Sequence, residues 1–305
     1  MRIKTWQKWF ICCFATIFVA VFFVYDCLFF HIENNLADEI VIEDVIQEDL
    51  EEETEETQKP EQDSEQSKQE QQVEKIPNYT NGYTCLLDAY KRMSTITSYK
   101  TTMVSKCTSA GVTQNVKSIK QRCDNKYSTE NFGYTESALG RVFYSRATTE
   151  DMETFDYIYT ENIDSNFTYN LDGAEHRTVE SLQEIQKLVG YNIFIPLTLI
   201  PTKTNGKLIS FDRLSYKNYY IVKFSFNLDA IPESLIREMK LHSGASSVTH
   251  SSCVIEVQIS KETGYIRRTS TTEVYKINVK GISLNVVSQA STLISNINEK
   301  FEFTY

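Results

Sequence analysis

Few residues in this chain have the types and spacing that catalysis or metal binding requires. His250 and Cys253 are three residues apart and form the closest histidine–cysteine pair in the C-terminal part of the chain, and both are ligand types that zinc accepts. On a regular strand this spacing places the two side chains on opposite faces. The pattern therefore favours a surface histidine and a core cysteine, and we predict no metal and no cofactor.

Two groups of acidic residues could supply a paired acid and base. One group contains Asp151, Glu153 and Asp156, and the other contains Glu161 and Asp164. Both groups lie beside predicted turns, where carboxylates are usually solvated. A solvent-exposed loop is therefore the preferred interpretation of each group.

Sequence motifs of nucleophilic and nucleotide chemistry are missing. The ten glycines form neither G-x-S-x-G nor G-x-G-x-x-G, so the sequence has no nucleophile elbow and no dinucleotide-binding turn. No lysine follows a serine by three residues, which removes the S-x-x-K motif of the penicillin-binding class. We expect that this protein is not an enzyme.

Four cysteines outside the N-terminal apolar segment could form up to two disulfides in an oxidising compartment. Three pairings are open, and the sequence does not choose among them. If the chain turns at residues 109–111, Cys107 lies opposite a residue near position 114 and not opposite Cys123. Four buried free thiols are the equally weighted alternative. The candidates are Cys85, Cys107, Cys123 and Cys253.

An uncharged run at residues 9–25 predicts a membrane anchor, and three basic residues precede it. The run makes about 25 Å of helix, and its weaker continuation to Ile32 makes about 36 Å, against about 30 Å for a hydrocarbon core. The bases predict a cytoplasmic N-terminus in the cell membrane. Residues 1–32 are thus expected to form a cytoplasmic tip and one transmembrane span. A cleaved signal peptide is the alternative, but the small residues that cleavage needs are missing.

Residues 33–75 are predicted to be a disordered acidic linker, because they hold 17 acidic residues against 3 lysines and few apolar residues after Leu50. The net charge of this segment, 3 − 17 = −14, is larger in magnitude than the net charge of −10 of the whole chain. Residues 76–305, the expected extracytoplasmic domain, are close to neutral and have no basic patch. We therefore predict no nucleic-acid binding.

The hydrophobic pattern of residues 76–305 predicts an α+β fold. A helix at residues 79–96 is followed by alternating strands, a second helix that starts from a capping box at Ser181, and another helix near Pro232. A meander of strands fills the last third, with strands predicted at residues 253–259, 265–272, 273–280 and 282–289, a turn at Gly281 and a last edge at 301–305. Earlier strands are predicted at residues 101–108, 112–122, 142–146, 155–160, 167–171 and 220–226, and the last of these alternates apolar side chains on one face. We expect a curved antiparallel sheet, or half-barrel, with an N-terminal helix and one or two inserted helices.

Two stretches resemble a known family: the helix-to-strand entry at residues 85–99, CLLDAYKRMSTITSY, and the hairpin at residues 259–266, ISKETGYI. They resemble the bacterial lipoprotein-carrier (LolA-like) domains and the related surface lipoproteins of Gram-positive bacteria. The resemblance implies a half-barrel that wraps helices around an apolar cavity. This sequence departs from those lipoproteins because it has no lipid-attachment cysteine, and the predicted anchor would replace the lipid.

An uncharged segment at residues 191–200, interrupted by Pro196, could either cover the core or form a flap over an apolar cavity. We predict a non-enzymatic binding domain whose partners are the membrane and a lipid or other apolar ligand. The alternative is a structural or sensory surface domain that contacts a protein or a wall polymer. The candidate cavity residues are Tyr191, Ile193, Phe194, Ile195, Leu197, Leu199, Tyr220, Val222, Phe224 and Phe226.

Overall fold

A computed structural model of the protein describes residues 76–138, 140–191, 193 and 196–303. The chain divides into two units, Met1–Gln72 and Val73–Tyr305. The predicted anchor and the predicted acidic linker lie outside the described residues. Within those residues, no helix is both long and apolar enough to cross a membrane.

The described residues build one antiparallel sheet of eleven strands, in the order β6-β5-β4-β3-β2-β1-β11-β10-β9-β8-β7. Strands β1 to β6 follow one another in chain order, and so do β7 to β11. Pairing of β1 with β11 joins these two meanders into one sheet. The strands are β1 (Ser98–Ser109), β2 (Val112–Cys123), β3 (Lys126–Thr135), β4 (Phe143–Thr149), β5 (Phe155–Thr160), β6 (Glu175–Val179), β7 (Gly206–Asp212), β8 (Tyr219–Phe226), β9 (Ser247–Ser260), β10 (Ile266–Val279) and β11 (Ile282–Ser295).

Two tight turns set the register at the centre of the sheet. Ala110 and Gly111 join β1 to β2 with φ of 49° and 79°, and Lys280 and Gly281 join β10 to β11 with φ of 52° and 82°. Two consecutive residues with positive φ match the twist of the strands that they connect, and glycine adopts this conformation at low cost. The turns predicted at both places are confirmed.

Three α-helices accompany the sheet: α1 (Gly82–Met93), α2 (Leu182–Val189) and α3 (Glu233–Ser243). The Asn81 side chain caps α1, and the Ser181 hydroxyl accepts a hydrogen bond from the backbone N–H of Glu184 at the start of α2. The cap predicted at Ser181 is therefore confirmed. A short 3₁₀ turn, Leu228–Ala230, precedes α3.

The main hydrophobic core lies between α1 and the strands β8, β9 and β10. Helix α1 buries one face, including Leu86 and Met93, against side chains such as Phe224 and Ile255. A second cluster forms where α2 and the segment after it cover β3, β4 and β5 around Phe155. Between these two clusters, the middle of the sheet carries a smaller cluster on β10 and β11 that includes Tyr275, Ile277 and Val286.

The predicted α+β class is wrong. The described residues form mainly one eleven-stranded antiparallel sheet with three helices of 12, 8 and 11 residues, and no transmembrane helix is found among them. Local patterns underestimated the strands because β9, β10 and β11 each run for 14 residues, longer than typical strands. The two strands predicted at 265–272 and 273–280 are thus one strand, β10.

Several strand boundaries were also misjudged. Strand β3 was missed because its sequence, KYSTENFGYT, is polar although nearly all of it is buried. The strand predicted at residues 167–171 is reduced to a single bridge between Ile163 and Tyr169. At residues 301–303 no strand forms.

Candidate ligand-binding cavity

A cavity of about 230 Å³ lies at the middle of the sheet, in the gap between the two core clusters. Its floor is the inner face of the central strands β2, β1, β11, β10 and β9. Its cover is formed by α3 together with residues 196–199. Because side chains alternate along a strand, every second residue of a central strand faces the cavity, as Thr101, Met103, Ser105 and Cys107 of β1 do.

Small side chains explain why the cavity exists. On β11 the floor includes Ser288, Ala290 and Thr292, and on β10 it includes Thr269 and Thr271; larger side chains such as Val286 and Tyr275 also line it. The corresponding face of β8 carries large aromatic residues that fill the space under α1. Because tightly packed interiors seldom leave voids larger than a water molecule, the small central residues mark a space that the protein does not fill with its own side chains.

Buried tyrosines hold the covering segment in place. The Tyr90 hydroxyl donates a hydrogen bond to the carbonyl of Leu199 at 2.8 Å, and the Tyr99 hydroxyl donates one to the carbonyl of Ile193 at 3.0 Å. Burial raises the pKa of each hydroxyl above the ordinary value for tyrosine, so both remain donors over the physiological pH range. The segment is therefore bonded to α1 and to β1.

Lys120 projects from β2 into the cavity wall and is only 7% exposed. Its ammonium nitrogen lies 3.4 Å from the centre of the Tyr191 ring. Within the described part of the chain, no hydrogen bond or ion pair to this ammonium is present. A buried cation over an aromatic face is attracted by the ring.

His242, on the last turn of α3, lines the same cavity and is 7% exposed. Its ring stacks on Phe143 with centroids 5.4 Å apart, and within the described residues its Nε2 atom has no hydrogen-bond partner. Burial lowers the pKa of His242; Glu238 opposes this shift, and the charges of Lys120 and Arg141 add to it. The imidazole is therefore neutral at pH 7.

Glu238 is the acidic group of the cover. It lies one turn before His242 on α3, is 7% exposed, and accepts a hydrogen bond from the Thr198 hydroxyl at 3.3 Å. Arg141 lies nearby and donates hydrogen bonds to the carbonyl of Leu241 and to the Tyr159 hydroxyl. The α3 side of the cavity thus combines the Arg141 cation, the Glu238 carboxylate and a neutral imidazole.

The prediction that His250 and Cys253 lie on opposite faces of a strand is wrong. A register shift in β9 pairs Ser252 with Val274 but His250 with Tyr275, so Ser251 is an extra residue. Such a β-bulge shifts the alternation by one position. Consequently His250 Nε2 and Cys253 Sγ both contact the Glu273 carboxylate, at 2.9 and 3.9 Å. Among the described residues, no group of three or more side chains is arranged to hold a metal ion.

All four candidate disulfide cysteines are free thiols. Cys107 lies opposite Gln114 across the β1–β2 hairpin, as predicted, and it lines the cavity. Burial raises the pKa of the Cys85 thiol to about 12 and raises that of Cys253 as well. Because the thiolate is the reactive form, these two side chains are poor nucleophiles. Cys123 lies at the end of β2 and is partly exposed.

The structure separates the ten predicted cavity residues into four groups. Leu197 and Leu199 line the cavity from its cover. Tyr191 and Ile193 pack in the cluster beneath α2. Phe194 and Ile195 lie outside the described residues. The β8 side chains pack beneath α1 in the main core; they are Tyr220, Val222, Phe224 and Phe226.

Sequence reasoning missed most of the residues that line the cavity. It selected large apolar residues, whereas much of the floor consists of small residues, and it did not single out Lys120 or Glu238. The only available signal was the repetition of serine, threonine and alanine at alternate positions of β10 and β11. That signal has meaning only once the strands are known to lie side by side.

No protein-family model matches this sequence, and the search of curated proteins also found no match. Among solved structures, the chain is similar to the crystal structure of a DUF1329 family protein from Desulfovibrio piger, with a TM-score of 0.26 and 10% sequence identity. The match covers 73% of this chain and 93% of that chain. At this TM-score the similarity gives no information about the function of this chain.

Proposed function

We propose that this protein is a non-enzymatic binding domain that holds a single apolar chain in the cavity at the middle of its sheet. The observation that carries this proposal is the unfilled space of about 230 Å³ between the small floor residues and α3. Cavities that bind small molecules are concave, mostly preformed and lined by apolar groups with a few polar ones. Met103, Val286 and Leu197 supply apolar surface of this kind.

The size of the cavity limits the ligand. Ligand pockets usually measure roughly 300–1,000 Å³, and this cavity lies just below that range. It therefore suits one short acyl or alkyl chain better than a lipid with several chains. A LolA-like relationship, suggested by residues 85–99 and 259–266, would be consistent with an acyl ligand and forms part of the proposal.

The buried thiols Cys85 and Cys253, which lie in the main core and not in the cavity lining, are unsuited to nucleophilic catalysis. Cys85 and Cys253 have raised pKa values, so neither supplies the thiolate that nucleophilic catalysis needs. The nearest histidine to Cys253, His250, is hydrogen-bonded to Glu273 inside the sheet. These groups have structural partners in the core.

We further propose that the domain lies outside the cytoplasm, as the charge pattern before residue 9 predicts.

Native mass spectrometry of the full-length chain, purified gently, tests the proposal. We expect a co-purified or added single-chain amphiphile, such as decanoate or 1-decanol, to appear as a one-to-one complex and to raise the melting temperature. A chain that binds neither compound at millimolar concentration would overturn the proposal.

A second candidate function, contact with a protein or polymer, is favoured by one specific observation. Near edge strand β7, the side chains of Leu214, Tyr216 and Ile209 are 80%, 53% and 49% exposed. Exposed apolar groups that cluster together mark interaction sites. Substitution of Leu214 and Tyr216 by serine would abolish such a contact and leave decanoate binding unchanged, which distinguishes the two functions.

A further inference from the structure

We propose that the ligand in the cavity is a carboxylate-bearing chain, of the fatty-acid class, and that the Lys120 ammonium binds its carboxylate. This inference rests on the proposed binding function and adds the chemical class of the ligand and the residue that selects it. Its basis is a buried lysine in the cavity wall that forms no ion pair or hydrogen bond with any described residue.

Lys120 is the first part of the argument. Charged side chains are almost never buried unless they are paired, because removal from water is costly for an isolated ammonium. Lys120 is 7% exposed, and among the described residues its ammonium has the Tyr191 ring against it but no hydrogen-bonded carboxylate. A cation–π contact compensates less well than a charge-assisted hydrogen bond to a carboxylate. The carboxylate of a ligand would supply the bond that Lys120 lacks.

His242 lies elsewhere in the cavity wall. Its carbonyl accepts a hydrogen bond from the Gln114 side chain, and Gln114 is six residues from Lys120 on β2, roughly 20 Å along the strand. The Nε2 atom of His242 is buried and unpartnered within the described residues, and buried polar atoms in native proteins generally have partners. His242 therefore adds a polar group to the wall, and Lys120 is the group that we assign to the carboxylate.

The other charged groups around the cavity have hydrogen-bond partners of their own. Arg141 also acts electrostatically on His242, and its guanidinium is directed towards Leu241 and Tyr159. Glu238 is the opposing charge, and its carboxylate is engaged by the Thr198 hydroxyl. The other acidic residue of the wall, Glu273, belongs to β10, which is three strands away from β2 and thus at least ~14 Å distant. Glu273 is also bonded to His250.

The rest of the cavity fits the apolar chain. Moving away from Lys120 along β2, the next floor positions are Ser118 and Val116. Met103 on β1 and Met239 on α3 face the same space. An unbranched chain that extends from the Lys120 end would lie among these flexible or small side chains.

The test compares two ligands that differ only in the head group. Binding of decanoate and of 1-decanol is measured by isothermal titration calorimetry on the full-length wild-type chain, on Lys120→Met and on Lys117→Met. Methionine keeps the length of the lysine stem without its charge. Lys117 is the matched control because it lies on the same strand with its side chain on the opposite face.

We expect wild type to bind decanoate more tightly than decanol. Lys120→Met should weaken decanoate binding by about 10- to 100-fold, the usual effect of losing a hydrogen bond to a charged group, and should leave decanol binding unchanged. Lys117→Met should bind both as wild type does. If wild type bound both ligands equally, the inference would be overturned. It would also be overturned if Lys120→Met bound decanoate as tightly as wild type does. In both cases the proposed binding of an apolar chain in the cavity would stand. Failure of wild type to bind either ligand would overturn the proposed function itself.

The melting temperatures of the unliganded variants show whether Lys120→Met folds. Because it removes a buried charge without a partner, we expect this variant to be at least as stable as wild type. Lys120→Arg provides a second readout: it keeps the positive charge, so it should retain most of the preference for decanoate over decanol. Loss of this preference in Lys120→Arg, in a folded protein, would count against the charge as its cause.

Discussion

Filling the cavity is the most direct perturbation, and Ala290→Leu does so with one substitution. Ala290 lies on β11 between Ser105 of β1 and Thr271 of β10, and all three residues line the floor. Leucine adds three carbon atoms that point into the unfilled space. The neighbouring variant Gln289→Leu is the matched control, because its side chain points to the other face of the same strand.

Ala290→Leu should stabilise the free protein and should abolish the stabilisation that the ligand gives to wild type. Burial of three methylene-sized groups contributes up to about 2.4 kcal/mol to the free energy of unfolding. In a domain of this size, that gain raises the melting temperature by roughly 5–9 °C. In wild type, a ligand at 100 times its dissociation constant adds about 2.7 kcal/mol, or roughly 5–11 °C. Ala290→Leu should lose this second increment because the ligand's space is occupied.

Differential scanning calorimetry of the full-length chain, with and without decanoate, measures both effects. We expect Ala290→Leu to melt higher than wild type without ligand and to show no shift with it, whereas Gln289→Leu shifts as wild type does. A variant that keeps the full decanoate shift would show that the ligand binds elsewhere. A variant destabilised by more than 1 kcal/mol would indicate overpacking and refute the assignment of free space next to Ala290.

Two further predictions concern titratable groups. Because the pKa of His242 is lowered in the folded protein and ordinary, about 6.5, in the unfolded chain, the unfolded state binds more protons at acidic pH. Stability is therefore lost as the pH falls below about 6.5, by at most about 1.4 kcal/mol per pH unit. Urea denaturation from pH 7.5 to 5 should show a flatter profile for His242→Gln and an unchanged one for exposed His176→Gln. Iodoacetamide at pH 8, followed by peptide mapping, should modify Cys123 at least tenfold faster than Cys85, whose thiol pKa is about 12; equal rates would contradict the burial of Cys85.

Local structure was largely readable from the sequence. The turn at Gly111 and the cap at Ser181 depend on a few adjacent residues whose backbone preferences are intrinsic. The alternation of Tyr220 to Phe226 likewise indicated a strand with one buried face. These features are confirmed because their causes lie within a few residues of each other.

Strand β3 and the β9 bulge show where such reasoning fails. The buried polar residues of β3 are stabilised by partners on other strands: Asn131 accepts a hydrogen bond from Ser118, and Glu130 accepts one from Tyr144. The bulge at Ser251 depends on pairing with β10. No local pattern records a partner that lies on another strand, so polarity was misinterpreted as a sign of exposure.

The sequence by itself determined the turns, the helix starts and the alternating faces of most strands. It also determined that large apolar side chains would be buried, as those of β8 are. Only the tertiary structure decided where the interior stays open. A cavity forms where the side chains of facing surfaces do not fill the space between them. Here it arises because small residues of β1, β10 and β11 become neighbours. The same assembly places Lys120 of β2 and His242 of α3 in the wall of one cavity, which gives the open space polar groups as well as apolar ones.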